Sequence, residues 1–248
     1  MFYQSLRFII LTITTLLLIV SCRHSESINA QSVIQTSTPN NIVISANPTP
    51  TLNQQQKIPV TDESQLVDIQ SINQNIAIDI RYATKNNFLK KQLYPEARCV
   101  LRYGVAQKLA KVQADLEKNQ LGLKVYDCYR PLSVQKLMWQ TLPDNRYVAN
   151  PAYGSRHNRG AAVDLTLVNR NRQELEMPSA FDTFTPASHR DYNGGSTESR
   201  KNRQLLEDAM KKQGFTGLST EWWHFDAPGW ENFPVMDVPF SQIHRSAE

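Results

Sequence analysis

The chain has 248 residues, of which 40% are hydrophobic and 20% are charged. This length allows one sizeable domain or two small ones, and four Trp, nine Tyr and nine Phe exclude a wholly disordered chain. Lys and Arg outnumber Asp and Glu by 27 to 23, and we expect no nucleic-acid partner from so small an excess, because phosphate binders usually concentrate basic residues on one face.

Residues 1–21 predict a secretory signal peptide. Arg7 is followed by an apolar run over 8–20, which is shorter than the ~20 residues of a bilayer span. The run ends at Ser21 and Cys22, in a pattern that resembles the bacterial lipobox, where the cysteine after the cleavage site carries lipid. An uncleaved anchor with an incidental cysteine is the alternative. We expect an exported protein that its N-terminal lipid anchors to a bacterial membrane, on the periplasmic or extracellular face.

Residues 22–60 comprise the lipidated cysteine and a predicted disordered tether. The segment is rich in Ser, Thr, Asn, Gln and Pro and contains no aromatic residue. Such a composition cannot bury enough apolar surface to offset the entropy lost on ordering. The folded body is therefore predicted over 61–248, as one domain.

The body alternates helical and strand-like patterns. Val105, Leu109 and Val112 lie on one face of a predicted helix, and Val163 and Leu165 alternate with polar residues as in a half-buried strand. In chain order we first expect a helix over 102–119, a strand over 123–128 and a short helix after Pro131 that carries Val134, Leu137 and Met138. A strand over 161–168, a helix ended by Gly214 and a last strand over 222–226 follow. This mixture predicts an α+β single domain with a small, mainly antiparallel sheet flanked by helices.

The three cysteines are too few for a disulfide scaffold and lack CxxC spacing, which disfavours a zinc ribbon. Once Cys22 carries lipid, Cys99 and Cys128 remain, and an oxidising compartment allows them to pair. A thiol nucleophile or a metal ligand is the alternative. A redox function is disfavoured, because no local feature supplies the depressed thiol pKa that it needs.

Two polar segments carry candidate chemistry, 155–164 and 221–224. Strands are depleted in Asp, so Asp164 within a strand points to a polar pocket, and a buried carboxylate there needs a cation. His157 precedes this strand in a loop, and His224 follows two Trp. Two His and one carboxylate suffice for catalytic zinc with a fourth position open to water, although each can also be a structural hydrogen-bonding group.

Glu221 is the candidate general base of such a site, since it lies three residues before His224. The sequence has no HExxH helix, so zincin geometry is not the source of the site. Positions three apart in an ideal strand face opposite ways. We therefore expect irregular backbone near Glu221.

The pattern SxHxxGxAxD at 155–164, followed by ExWH at 221–224, resembles the signature of zinc D,D-peptidases related to bacterial D-alanyl-D-alanine carboxypeptidases and dipeptidases. The form EWWH, with RYAT at 81–84, YDCYRP at 126–131 and FDTF at 181–184, is more similar to the D-alanyl-D-alanine dipeptidase branch. The matching segments follow the family's order and span most of the body.

The resemblance implies that His157, Asp164 and His224 bind one Zn²⁺ per chain on the sheet. It also implies that Glu221 is the catalytic base. These are the residues on which a metallopeptidase reaction depends.

Further roles are implied for residues around the metal. Arg130 matches the arginine that stabilises the tetrahedral intermediate, Tyr82 and Asp182 match residues that hold the substrate's ammonium, and Ser155 matches a residue near its carboxylate. Each of three residues also has a structural alternative: Arg130 can form a surface salt bridge, Tyr82 can pack in the core, and Asp182 can cap a turn.

The implied function is zinc-dependent hydrolysis of the D-alanyl-D-alanine dipeptide, or a related dipeptide from the cell wall, in wall-peptide turnover. The alternatives are a D,D- or L,D-carboxypeptidase that trims peptidoglycan stem peptides and a non-catalytic wall-binding lipoprotein of the same fold. The lipoprotein signal, the tether and the cysteine pair depart from the best-known resistance enzymes, which resemble cytoplasmic proteins. These departures bear on the physiological role more than on the chemistry.

Overall fold

The computed structural model describes residues 62–245. The predicted signal peptide, the lipidation site Cys22 and the tether lie outside these residues. Between residues 62 and 245 no helix is both long enough and apolar enough to cross a membrane. The helices are α1 (Ile69–Ile72), α2 (Tyr103–Glu117), α3 (Leu132–Thr141) and α4 (Thr197–Lys212). The strands are β1 (Leu66–Asp68), β2 (Ala77–Ile78), β3 (Val100–Arg102), β4 (Leu121–Asp127), β5 (Ala162–Asn169), β6 (Thr216–Gly217) and β7 (His224–Asp226).

The main sheet has five strands in the order β2-β4-β5-β7-β6. β2 runs parallel to β4, whereas β4–β5, β5–β7 and β7–β6 are antiparallel pairs. β1 and β3 form a separate antiparallel pair. The predicted α+β fold with a small, mainly antiparallel sheet is confirmed.

The apolar pattern of the sequence accounts for the helix that packs on the sheet. Val105, Leu109, Val112 and Leu116 are buried on one side of α2, which packs against β4 and α4. Helix α4 begins where the Ser196 side chain accepts a hydrogen bond from a backbone N–H of its first turn. Its last turn carries two lysines, whose positive charges interact favourably with the negative end of the helix dipole.

The short helix after Pro131 is α3, and it carries Val134, Leu137 and Met138 as predicted. Val134 and Met138 are buried, whereas Leu137 is exposed. One boundary of the predicted elements is wrong. The last strand covers His224–Asp226 rather than 222–226, because the chain forms a turn at Trp222 and Trp223 before it joins the sheet.

The register of β5 positions the site. Asp164 of β5 lies directly opposite His224 of β7 and, on its other side, opposite Asp127 of β4, where the register shifts. Direct partners in neighbouring strands share one face of a sheet. Asp164 and His224 therefore share a face, and the fully buried Val163 and Leu165 point to the other.

Candidate metal centre and its cavity

Three donor atoms from three parts of the chain meet in one buried cluster. The Oδ1 atom of Asp164 lies 3.0 Å from Nδ1 of His224 and 3.3 Å from Nε2 of His157. The two imidazole nitrogens are 3.1 Å apart. None of the three residues is more than 6% exposed. The structure thus brings together the residues predicted as metal ligands, and their ligand role stays a prediction.

His157 reaches the cluster from a single 3-10 turn, His157–Arg159, that precedes β5. The turn ends at Gly160 with φ +67°, a left-handed backbone conformation that favours glycine, and a Cβ there would approach Leu66 Cδ2 to 2.9 Å. The Ser155 hydroxyl accepts a hydrogen bond from the His157 N–H at 3.2 Å. Ser155 therefore stabilises the turn, and its predicted contact with a substrate carboxylate remains a prediction.

The outer nitrogen of each histidine is held by an acceptor. Nδ1 of His157 contacts the carbonyl oxygen of Cys128 at 2.7 Å, and Nε2 of His224 contacts Oδ1 of Asp226 at 2.8 Å. A carbonyl can only accept, so Nδ1 of His157 carries the hydrogen and Nε2 turns its lone pair towards the cluster. Asp226 sets the same orientation for His224. The sequence analysis missed Asp226, although its position two residues after His224 in a strand places both on one face.

The donor set and its dimensions fit zinc. A tetrahedral site with Zn–N and Zn–O distances of about 2.0–2.1 Å separates its ligand atoms by about 3.3–3.4 Å, close to the three separations of the cluster. Burial lowers the pKa of His224, but hydrogen bonds to Asp164 and Asp226 outweigh it and raise the pKa to about 10. Burial likewise raises the pKa of Asp164, but His157 and His224 lower it well below its usual value. The cluster therefore favours a positive charge at its centre.

Glu221 lies in the turn that leads into β7. Its N–H donates to the Leu218 carbonyl at 3.2 Å, and the following N–H of Trp222 donates to the Ser188 carbonyl at 2.9 Å. The backbone is thus irregular at Glu221, as expected from its spacing to His224. Burial raises the pKa of Glu221 to about 8, opposed by His224 and increased by nearby carboxylates.

Arg130 is held by buried side chains. Its Nε and Nη2 donate to Oδ2 of Asp127 at 3.1 and 2.6 Å, and its Nη1 donates to Oε1 of Gln135 at 2.8 Å. Its guanidinium lies 5.2 Å from the ring centre of Tyr82. Burial lowers the pKa of Arg130, but Asp127 outweighs it and holds the pKa well above its usual value. Arg130 is a fixed cation, and the two side chains that hold it were missed by the sequence analysis.

Asp182 and Tyr82 form a second polar group. The Tyr82 hydroxyl donates to Oδ1 of Asp182 at 3.0 Å, and the Phe88 N–H approaches Oδ2 at 3.4 Å. The backbone of Asp182 is left-handed, with φ +59°, a conformation that costs energy in a residue with a side chain. Burial raises the pKa of Asp182 to about 7, against the opposing effect of the Tyr82 hydrogen bond. An opposite charge would stabilise this carboxylate.

All predicted metal, catalytic and substrate residues line one cavity of about 80 Å³. They are Tyr82, Arg130, Ser155, His157, Asp164, Asp182, Glu221 and His224. The cavity thus combines a metal-type donor cluster, a carboxyl group, a fixed arginine and a carboxylate paired with a tyrosine.

A disulfide bond joins Cys99 and Cys128 beside this cavity. Both cysteines are buried. Cys128 lies two residues before Arg130, and its carbonyl oxygen is the one that orients His157. The disulfide therefore stabilises the segment that carries Arg130 and that orients His157.

Comparison with known proteins places the chain among peptidases. The model of the family described as D-ala-D-ala dipeptidase matches residues 62–245. A D-alanyl-D-alanine dipeptidase of Escherichia coli (strain K12) is 36% identical over 182 residues, which cover 73% of this chain and 94% of the relative. A D-alanyl-D-alanine dipeptidase of Enterococcus faecium is 33% identical over 184 residues, which cover 63% of this chain and 91% of the relative.

A solved structure of lower similarity is the vancomycin-resistance D,D-pentapeptidase VanY in complex with Zn(II). It is 16% identical with a TM-score of 0.34, over 54% of this chain and 75% of that chain. At this TM-score it adds nothing to the description of the fold.

Proposed function

The chain belongs to the D-alanyl-D-alanine dipeptidase family, and on this premise we propose that it is a zinc metallopeptidase that hydrolyses D-alanyl-D-alanine to two molecules of D-alanine. One observation carries the proposal: three metal-type donors and Glu221 line the same cavity as Arg130 and Asp182. No ligand or base that the reaction needs is missing, which disfavours a non-catalytic wall-binding protein.

His157, Asp164 and His224 would hold one zinc ion per chain. When bound, zinc lowers the pKa of a water molecule and polarises the scissile carbonyl. The Cys128 carbonyl and the Asp226 carboxylate keep hydrogens on the outer histidine nitrogens, so that both inner nitrogens present lone pairs.

Glu221 takes the proton of the attacking water and passes it to the leaving amine. It must be ionised to accept that proton, and the positive charge of a neighbouring divalent ion offsets the burial that raises its pKa. Arg130 stabilises the negative charge that develops on the carbonyl oxygen, and its pairing with Asp127 and Gln135 keeps it in place without reorganisation.

Asp182 and Tyr82 set the length of the substrate. We expect the Asp182 carboxylate to pair with the free ammonium of the dipeptide. A longer peptide places a neutral amide there and leaves a half-buried carboxylate without its cation.

We further propose that the protein acts outside the cytoplasm, attached to a membrane through lipid on Cys22. The apolar segment and lipobox-like end at 8–22 support this placement. The disulfide between Cys99 and Cys128 is compatible with it, since disulfides persist in oxidising compartments. Dipeptides released from the wall are then the substrates within reach.

A panel of D,D-, L,D- and L,L-dipeptides with one tripeptide and a muropeptide pentapeptide tests the activity, assayed with chelator and with zinc add-back. We expect D-Ala-D-Ala to be the best substrate and chelation to abolish turnover until zinc is restored. Preferential cleavage of the pentapeptide would instead identify a carboxypeptidase, and no cleavage of any peptide by the zinc-loaded protein would contradict the proposed enzyme.

A further inference from the structure

Arg156 lines the active-site cavity and lies immediately before His157 in the chain. Its guanidinium lies 4.5 Å from the ring centre of Trp230, which holds it in place by a cation–π contact. Within residues 62–245 its Nε atom is buried and has no hydrogen-bond partner. Nε forms a long ion pair with Oδ2 of Asp226, at 3.5 Å, that is not a hydrogen bond. A buried, unpartnered N–H beside a cavity calls for an acceptor on a ligand.

Two other arginines line the cavity, and each already donates hydrogen bonds to side chains. Arg130 donates to Asp127 and Gln135. Arg146 is 70% exposed and makes a 2.6 Å contact with Asp144. Among the cavity arginines of the described chain, Arg156 is therefore the one with a buried guanidinium nitrogen that lacks a hydrogen-bond partner.

The charges of a dipeptide match this arrangement. Its ammonium is expected at Asp182, and its carboxylate lies about two residue lengths away, roughly 7 Å. We therefore expect the carboxylate in the same cavity, beside the metal cluster and away from Asp182. Arg156 adjoins that cluster in two ways, as the neighbour of His157 and through Asp226, which contacts His224.

We propose that Arg156 binds the C-terminal carboxylate of the dipeptide and makes the enzyme selective for substrates with a free C-terminus. This inference rests on the proposed function. The guanidinium of Arg156 is a planar cation, and such a group can donate two parallel hydrogen bonds to the substrate carboxylate.

The test compares D-Ala-D-Ala with its C-terminal amide in the wild type and in the variants Arg156→Gln and Arg159→Gln. Arg159 is the matched control, because it stacks on the same Trp230 ring, 5.4 Å from its centre, but does not line the cavity. We expect the wild type to prefer the free acid by about 10- to 100-fold in kcat/KM. Arg156→Gln should lose most of that preference by slowing the acid alone, and Arg159→Gln should keep it.

Equal losses on acid and amide in Arg156→Gln would overturn the inference, since they would show that Arg156 acts through Asp226 and the metal. The zinc content of each variant is measured in the same preparations, because a loss of zinc in Arg156→Gln would identify that outcome. An unchanged preference for the acid would overturn it as well.

Calorimetric binding separates this inference from the proposed function. The zinc-loaded Glu221→Gln protein is titrated with acid and with amide, with and without Arg156→Gln. Tighter binding of the acid by about tenfold or more, lost without Arg156, supports the inference even if the wild type hydrolyses neither compound. Equal binding of both compounds, or binding of neither, overturns it.

Discussion

The two ends of the cavity are built in different ways. At the metal end, defined by His157, Asp164 and His224, the donors stand on paired strands or on a buried turn, and other groups fix each histidine. The other end is defined by Tyr82 and Asp182, and we call it the ammonium end after its proposed role. Its side chains come from a 3-10 turn and from irregular chain between β5 and α4. The proposed metal ligands thus stand on the sheet or on a turn beside it, and the residues proposed to select the substrate come from connecting segments.

The largest expected effect is at the metal end. His224→Gln removes one of the three proposed ligands, and we expect activity to fall by about 1,000-fold or more together with zinc affinity. Activity assays and metal analysis of the purified variant check this. His244→Gln, which changes an exposed histidine away from the cavity, is the control and should keep both. Normal zinc content in His224→Gln would remove this residue from the ligand set.

Glu221→Gln separates catalysis from metal binding at the same end. We expect kcat to fall by about 10²- to 10⁴-fold, because no group of suitable pKa replaces the general base. Zinc content and the unfolding temperature should stay near those of the wild type. A kcat within about tenfold of the wild type would show that another group accepts the proton.

Asp182→Asn tests the ammonium end, where a smaller effect is expected. Loss of the carboxylate should lower kcat/KM for D-Ala-D-Ala by about 10- to 100-fold and leave zinc content unchanged. The ratio of dipeptide to tripeptide turnover should fall, because the variant no longer penalises a neutral amide. A ratio equal to that of the wild type would separate substrate length from Asp182.

The same residue predicts a pH dependence. Burial raises the pKa of Asp182 to about 7, so its carboxyl group is neutral below that pH and charged above it. Since only the charged form attracts an ammonium, kcat/KM should fall about fivefold from pH 7 to pH 6 and about tenfold per pH unit below that. Asp182→Asn should flatten this limb of the profile. An identical limb in both proteins would assign it to another group.

The disulfide is expected to affect stability more than catalysis. Replacing Cys99 and Cys128 by Ser opens a loop with a sequence separation of 29 and should cost about 3–4 kcal/mol of unfolding free energy. The folded variant should keep kcat within a few-fold, because backbone hydrogen bonds still hold the segment around Arg130. Denaturant unfolding measures the stability of the variant, and steady-state kinetics of the same preparation measure its kcat. A variant as stable as the wild type would contradict a structural role of the disulfide.

The sequence predicted the metal end better than its surroundings. The metal-type donors lie in short segments, such as a strand and the loop before it, and residue type and spacing are enough to find such a group. The direct pairing of Asp164 with His224 depends on strand register, which spacing does not show. Asp127 and Gln135 were missed because their contact with Arg130 joins a strand end to a following helix. Leu137 fits the apolar pattern of its helix, but no element within residues 62–245 buries it.

Zinc titration of the chelator-treated protein tests the central claim most directly, with hydrolysis of D-Ala-D-Ala as the readout. The claim predicts no turnover without metal, a linear rise as zinc is added and a plateau at one equivalent per chain. Full turnover before zinc is added, or none at one equivalent, would contradict it.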